Sequence, residues 1–372
     1  MSRLEIERVT KVYDPRTRPV TAVRELELDV EPGEIVALLG SSGCGKTSTL
    51  RMIAGFEEVT DGTIRLGGRA LERLAPAKRR VAMAFEGYSL YPPMTVRENI
   101  GFALRSVGTG AEEIARRVDE MAKMLEIGSI LERYPASISG GQQQRASLAR
   151  ALIRDAELHL LDEPMGQLEP QLRALLRGRI KHFLKERGHT TILVTHDQTE
   201  ANALADRIAV MEDGELQQYA TPAALRERPA NLFTGTFIGE PPMNVVEVEP
   251  RVGDGRVRLA LDGDATLDYP LDAFTEPVRR VLAEHERLAL GVRPHAVRVA
   301  AEGLPARLLA NQWLGDQSHL AAELAGVTLV AVEHRRSDAR AGDTIGLAFS
   351  PDDLHLFERA SGRALVHGRE LA

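Results

Sequence analysis

The sequence predicts an α/β nucleotide-binding domain followed by a smaller all-β domain, and three observations carry that expectation. Short apolar strands alternate with helical stretches through the first two thirds of the chain, the pattern of a parallel sheet. A glycine-rich loop, residues 40–47, sits between one of those strands and a helix-compatible run. The last third changes to period-two alternation broken by turn residues every ten or so positions. At 372 residues the chain exceeds the roughly 250–300 at which single cores stop growing, so two domains are expected, at 1–235 and 236–372.

The elements follow in order. Apolar runs at 35–39, 81–85, 158–161 and 192–194 read as strands of the parallel sheet. Between them, Ile114, Val118, Met121 and Leu125 recur at helical spacing, as do Leu172, Leu175, Leu176, Ile180, Phe183 and Leu184, and each set defines the core face of a helix. Asp61-Gly62 and Asp213-Gly214 read as hairpin turns, because glycine tolerates the positive φ those turns demand. Thr221-Pro222 opens a helix that ends near Arg228-Pro229. Beyond residues 239–242, the segments 245–248, 256–261, 288–292, 297–300, 327–332 and 344–349 read as strands of the all-β domain.

Composition narrows the classes of function. With 43% hydrophobic and 27% charged residues the chain is globular, and its apolar runs fall far short of the roughly 20 residues that cross a bilayer. Charges begin at Arg3 with no apolar h-region, so secretion is not expected, and the single cysteine, Cys44, fits a reducing compartment. Through Gly239 there are 32 basic and 33 acidic residues; from Glu240 onward there are 15 arginines, no lysine and 21 acids. Neither half has the surplus of positive charge that phosphate backbones require, which argues against a nucleic-acid partner.

Chemistry concentrates in two places. Gly40, Ser41, Ser42, Gly43, Cys44, Gly45, Lys46 and Thr47 satisfy GxxxxGK[ST] in strand, loop, helix context, and the nucleotide-binding stretch extends to Ser48. Such a loop turns backbone N–H groups toward a β-phosphate, while Lys46 bridges the β and γ oxygens and the Thr47 hydroxyl ligates Mg²⁺. Asp162 and Glu163 emerge side by side from the strand at 158–161, so that Asp162 can hold Mg²⁺ and Glu163 can act as general base toward water. A nucleotide with a γ-phosphate and Mg²⁺ are the cofactors this combination calls for.

Between the two lies Ile138-Ser139-Gly140-Gly141-Gln142, which resembles the LSGGQ signature of the ATP-binding cassette proteins. Tyr13, placed where that family stacks an aromatic ring on adenine, and Thr195-His196-Asp197, placed at its switch histidine, extend the resemblance over the first 235 residues. The resemblance implies that the nucleotide is ATP, and with it a helical subdomain at about 87–155 and a head-to-tail dimer with a second copy or a paralogue. In that dimer Ser139, Gly140, Gly141 and Gln142 of one subunit close on the γ-phosphate held by the other, and His196 helps orient water. The stretch 88–100, with Tyr88, Tyr91 and Met94, looks like the segment that import-type cassettes turn toward their membrane subunits. Residues 237–244 and 291–295 are similar to the OB-like regulatory domain of the maltose-type carbohydrate importers. The implied partners are two membrane-spanning permease subunits and, indirectly, an extracytoplasmic solute-binding protein. The implied place is the cytoplasmic face of the plasma membrane, and the solute a sugar, polyol or related compound. Alternatives are a soluble cassette ATPase acting on nucleic acid or ribosomes, or an importer ATPase for a polyamine, phosphonate or metal. Three positions depart from the family pattern: Glu86 stands in place of a glutamine and is a candidate Mg²⁺ ligand, and Gly166 and Glu169 replace a serine and an aspartate.

Overall fold

The computed structural model describes residues 2–14, 16–262 and 265–368. The chain divides into two compact units, Met1–Pro222 and Ala223–Ala372. That division falls ahead of the 235/236 boundary proposed from sequence.

In the N-terminal unit, strands β1 (Leu4–Tyr13) and β2 (Val20–Val30) lead to β3 (Ile35–Gly40) and helix α1 (Lys46–Ala54). Then come β4 (Asp61–Leu66), β5 (Arg69–Ala70) and β6 (Val81–Ala84). Three helices follow, α2 (Val96–Ser106), α3 (Ala111–Met124) and α4 (Gly140–Leu152). The unit closes with β7 (Leu158–Asp162), α5 (Pro170–Glu186), β8 (Thr191–Val194), α6 (Gln198–Leu204), β9 (Arg207–Glu212) and β10 (Glu215–Ala220). A six-stranded sheet runs β10-β9-β3-β8-β7-β6, with parallel pairing from β9 through β6, and a four-stranded antiparallel sheet runs β2-β1-β4-β5. Every residue of β3, β7 and β8 is buried, as expected where a parallel sheet is covered on both faces.

Two local expectations are corrected. Asp61-Gly62 is not a hairpin turn but the first two residues of β4, which pairs with β1 through a register shift between Glu7 and Thr10. Gly62 takes φ 90° there, and a Cβ on it would lie 2.4 Å from the Arg8 carbonyl oxygen, so the glycine serves a bulge. Leu175 does not join the core face of α5; it is 44% exposed while Leu176, Ile180, Phe183 and Leu184 are buried. Asp213-Gly214 does form the β9–β10 turn, with both residues at positive φ.

The C-terminal unit takes in α7 (Pro222–Glu227) from Ala223 onward and α8 (Leu232–Phe237). Its strands are β11 (Asn244–Gly253), β12 (Arg256–Ala260), β13 (Thr266–Pro270) and, after α9 (Glu276–Glu284), β14 (Leu288–Val292). They continue as β15 (Arg298–Trp313), β16 (Ser318–Leu324), β17 (Val327–Glu333), β18 (Thr344–Ala348), β19 (Leu354–Glu358) and β20 (Ala364–His367). All pairings are antiparallel, in sheets ordered β13-β12-β11-β14-β19-β20 and β17-β16-β15-β18, over a shared core that includes Phe274, Leu290, Leu308 and Leu320. Asn244 pins one sheet to the other, its side chain exchanging bonds of 2.8 and 2.7 Å with the backbone of Val330. The buried Arg293 donates to the carbonyls of Gly235, Ile238 and Arg226, which fastens the segment carrying α7 and α8 to this unit.

Candidate active site

Sterics build the phosphate loop. A Cβ at Gly40 would lie 2.1 Å from the Met211 carbonyl oxygen, so only glycine fits where β3 passes β9. Gly43 and Gly45 take φ of 83° and 101°, and Gly45 caps the start of α1 directly before Lys46. The Lys46 ammonium donates to the carbonyls of Gly40 and Ser41, each at 2.8 Å, and lies 3.4 Å from the buried Cys44 sulfur. Tyr13, at the end of β1, has its hydroxyl 3.2 Å from Ser48 Oγ and the Lys11 ammonium 4.7 Å from its ring centre. Tyr13 and Ser48 thus stand together beside the first turn of α1.

The end of β7 supplies the acids. Glu163 adopts φ 47°, which turns the chain sharply after Asp162, while its N–H still bonds to the Val194 carbonyl at 2.9 Å. This divergence separates the carboxyls: Asp162 is buried, and Glu163 reaches His196, with Oε1 2.9 Å from Nδ1. Burial, then the charges of Glu86 and Glu163, push the Asp162 carboxyl up to about 6, against an opposing pull from Arg51 and Lys46. Its Oδ1 is buried with no hydrogen-bond partner, as is Glu163 Oε2. A buried carboxylate oxygen lacking any donor, beside two further carboxylates, is the setting a cation relieves, so the residues present fit Mg²⁺.

A cavity of about 390 Å³ is lined by Ser42, Gly43, Lys46, Thr47, Glu86 and Glu163, together with Gln144, Gly166, Gln167, Val194 and His196, while Tyr13, Ser48 and the buried Asp162 do not line it. Ser139, Gly140, Gly141 and Gln142 do not line it. They form the start of α4, where Ser139 Oγ accepts from the Gln142 N–H at 3.3 Å and Gln142 Oε1 accepts from the Ser139 N–H at 3.0 Å, a reciprocal capping box.

Comparison with known proteins gives the family. The ABC transporter family matches residues 23–166, and the TOBE domain matches 290–357. The xylose/arabinose import ATP-binding protein XacK of Haloferax volcanii is 41% identical over 100% of this chain and 97% of its own length. The sn-glycerol-3-phosphate import ATP-binding protein UgpC 1 of Rhizobium johnstonii is 38% identical, covering 98% of this chain and 96% of that one. The diacetylchitobiose uptake ATP-binding protein MsiK of Streptomyces coelicolor is 37% identical over 98% and 100%. The chain belongs to the ABC transporter ATP-binding proteins. Among solved structures, the dimeric cassette MJ0796 bound to ADP and Pi superposes with a TM-score of 0.55 at 28% identity, covering 59% of this chain and 98% of that one.

This ABC protein is therefore an ATPase that binds nucleotide, with a P-loop domain and a C-terminal all-β TOBE domain. Its departures from pattern have distinct structural meanings. Glu86 is exposed at the cavity rim and acts on Asp162 through charge. At Gly166 a Cβ would meet only the Glu163 carbonyl oxygen, at 3.8 Å, so the backbone does not demand glycine. Glu169 is the N-cap of α5 and makes no side-chain capping bond.

Two residues of this ABC cassette escaped the sequence reading. Gln144 is buried on α4; its Nε2 donates to the Glu163 carbonyl at 2.7 Å and its Oε1 accepts from the Gln167 N–H at 2.9 Å. It thereby ties the signature helix to the loop after β7. Its signal was available, since residues 144, 148 and 152 recur every four positions and share the inward face. The second, Glu200, is treated below. No helix among the described residues is long and apolar enough to cross a membrane.

Proposed function

We propose that this chain is the ATP-hydrolysing subunit of an importer for a sugar, a polyol or a related solute, working as a head-to-tail dimer on two permease subunits at the cytoplasmic face of the membrane. The single observation that carries the hydrolytic reading is the Glu163–His196 contact of 2.9 Å on the wall that also presents Lys46 and Thr47. In this reading Lys46 leaves its own loop carbonyls for the β- and γ-phosphates, Tyr13 stacks on the adenine, and Glu163 takes the proton from water attacking the γ-phosphate. His196 holds Glu163 in place and faces the γ-phosphate. Thr47 and Asp162, with Glu86 at the rim, would hold Mg²⁺, which neutralises phosphate charge when bound. The start of α4 lies off this cavity, which suits Ser139 closing on nucleotide bound by the other subunit, and the solved dimer of a similar cassette with ADP and Pi supports that arrangement.

A rigid aromatic ridge supports the permease contact. Tyr91 is 45% exposed and packs on Phe102 at 5.0 Å, with the Arg150 guanidinium 5.5 Å from its ring centre. The wholly buried Asn99 holds this segment by four bonds, accepting from the Tyr91 N–H at 2.7 Å and donating to the carbonyls of Tyr91, Met94 and Thr95. An exposed apolar surface fixed so firmly suits a partner helix. The solute class rests on the relatives that match along nearly the whole chain, which are named as import or uptake proteins for xylose/arabinose, sn-glycerol 3-phosphate and diacetylchitobiose.

Glu163→Gln tests the reading. It keeps the shape of the side chain and removes the base, so turnover should fall by about 10²-fold or more while ATP binding persists. Size-exclusion chromatography with ATP should show the variant accumulating as a dimer. Hydrolysis near the wild-type rate would remove Glu163 from the chemistry.

A further inference from the structure

The turn that carries His196 is closed by a carboxyl that no part of the hydrolytic reading uses. Glu200 is only 1% exposed, and its Oε2 accepts from the Thr195 hydroxyl at 3.0 Å. That hydroxyl in turn accepts from the Asp197 N–H at 3.0 Å, and Asp197 Oδ1 accepts from the Glu200 N–H at 3.0 Å. Three bonds thus form a closed ring around the backbone of residue 196. Asp197 is the N-cap of α6 and Glu200 is its N3 residue, the two places that exchange bonds in a capping box. An N3 glutamate ordinarily reaches back to the N-cap N–H itself. Here the buried Thr195 hydroxyl is interposed, so the residue on the far side of His196 is drawn into the same cap.

We infer that Glu200 is a positioning residue for hydrolysis, which through the Thr195 hydroxyl fixes the 195–197 turn and so holds His196 against Glu163. The inference rests on the hydrolytic reading above, since it gives the His196–Glu163 contact its function. His196 depends on such an anchor because its side chain is 73% exposed and reaches inward to Glu163. Arg173 adds a brace from α5, with Nη1 3.0 Å from Asp197 Oδ2 and Nη2 on the carbonyl of Leu168 at 3.1 Å. The ring is costly to maintain, which is the mark of a group kept for its position. Glu200 Oε1 is buried without a partner, and burial pushes the carboxyl up to about 7. The Thr195 bond and Arg173 pull it down, while the carboxylates of Asp197 and Glu163 push it up. The capping glutamate of α2, Glu98, is by contrast only half-buried and accepts directly from the N-cap Thr95 N–H at 2.8 Å.

Three variants of the full-length chain test this, with turnover and ATP affinity measured separately. Thr195→Val is nearly isosteric and removes the relay hydroxyl; Glu200→Leu removes the carboxyl; Glu200→Gln keeps an acceptor oxygen for Thr195. Thr195→Val and Glu200→Leu should each lower kcat about tenfold or more with ATP affinity within about threefold of wild type, because the phosphate loop is untouched. The double variant should be no worse than the poorer single one, since both break one relay. Glu200→Gln should recover at least half of wild-type turnover. Wild-type turnover in Thr195→Val, a loss of ATP affinity parallel to the loss of kcat, or a Glu200→Gln as defective as Glu200→Leu would overturn the inference. Should Glu200→Leu fail to fold, Thr195→Val decides alone. Glu163→Gln run alongside keeps the two readings apart: activity in that control sinks the hydrolytic reading, whereas an inactive control with a fully active Thr195→Val sinks only the role of Glu200.

Discussion

At the level of single side chains, the acids around the cavity are divided by burial. Asp162 lies inside with a raised carboxyl, Glu163 is turned by its left-handed backbone to His196, and Glu86 stands at the exposed rim. The charge of Glu86 is one of the influences that raise the Asp162 carboxyl, so it disfavours the ionised form that would meet a cation. Glu86→Gln removes this push and also the repulsion between Glu86 and a γ-phosphate. The Mg²⁺ concentration for half-maximal ATPase activity should therefore fall in Glu86→Gln, with ADP affinity little changed. A raised midpoint would instead show that what Glu86 contributes as a ligand outweighs its repulsion, and an unchanged one would leave it without influence on the metal. Most of this site could be read from the sequence because its residues are fixed by short motifs: the loop at 40–47, the acids after β7 and the histidine after β8. Gln144 and Glu200 were missed for a physical reason. The spacing of 144, 148 and 152 places Gln144 on the inward face, but the roles of both residues come from bonds to backbone or hydroxyl groups of other segments, and no spacing rule marks where such a bond ends.

At the level of elements, the parallel strands were legible because fully buried strands are continuous apolar runs, and β3, β7 and β8 are that. His159 is the exception inside β7. It is wholly buried, its ring centre 4.2 Å from that of His189, and burial, with the neighbouring His189 charge, holds its ring down at about 3. The folded value lies below the ordinary 6.5, so the unfolded chain binds the extra proton. Stability from this group is complete above about pH 6.5 and is lost as pH falls toward 3. At pH 5 the loss is about 2 kcal/mol. His159→Leu should remove that share of the acid sensitivity, seen as a smaller drop in urea midpoint between pH 7 and pH 5 than in wild type. Equal drops in the two proteins would show that His159 does not titrate on unfolding. Elements of the C-terminal unit were harder to read. The 16-residue β15 contains Gly303 and Pro305, which argue against a strand, yet it pairs with β18 across a register shift between Val299 and Leu304. Helix α9 was missed although Thr275 is its N-cap and Pro277 lies in its first turn, because strands dominate its surroundings.

At the level of the whole molecule, the relatives match this chain over almost its full length while the solved cassette covers 59% of it, so the domain plan is shared by importers and the cassette alone is the common ATPase. That plan does not follow the solute, since proteins named for pentoses, a glycerol phosphate and a chitin disaccharide all have it. What it does provide, among the described residues, is a hydrophobic core in each unit, one around Leu38, Leu50 and Ile192 and one around Leu290, Leu308 and Phe274. Two cores predict two cooperative unfolding transitions, and the chain contains a convenient reporter for one of them. Its single tryptophan, Trp313, lies on β15 in the C-terminal unit, whereas all the nucleotide-site residues lie in the N-terminal one. ADP at about 100 times its dissociation constant stabilises the unit that binds it by about 2.7 kcal/mol, which raises the melting temperature of a domain this size by about 5–10 °C. Thermal unfolding followed by far-ultraviolet circular dichroism should show that shift in one of two transitions, while the transition seen by Trp313 fluorescence stays in place. If the Trp313 transition moves together with the other, the two cores unfold as one, and the C-terminal unit then senses nucleotide directly through shared stability.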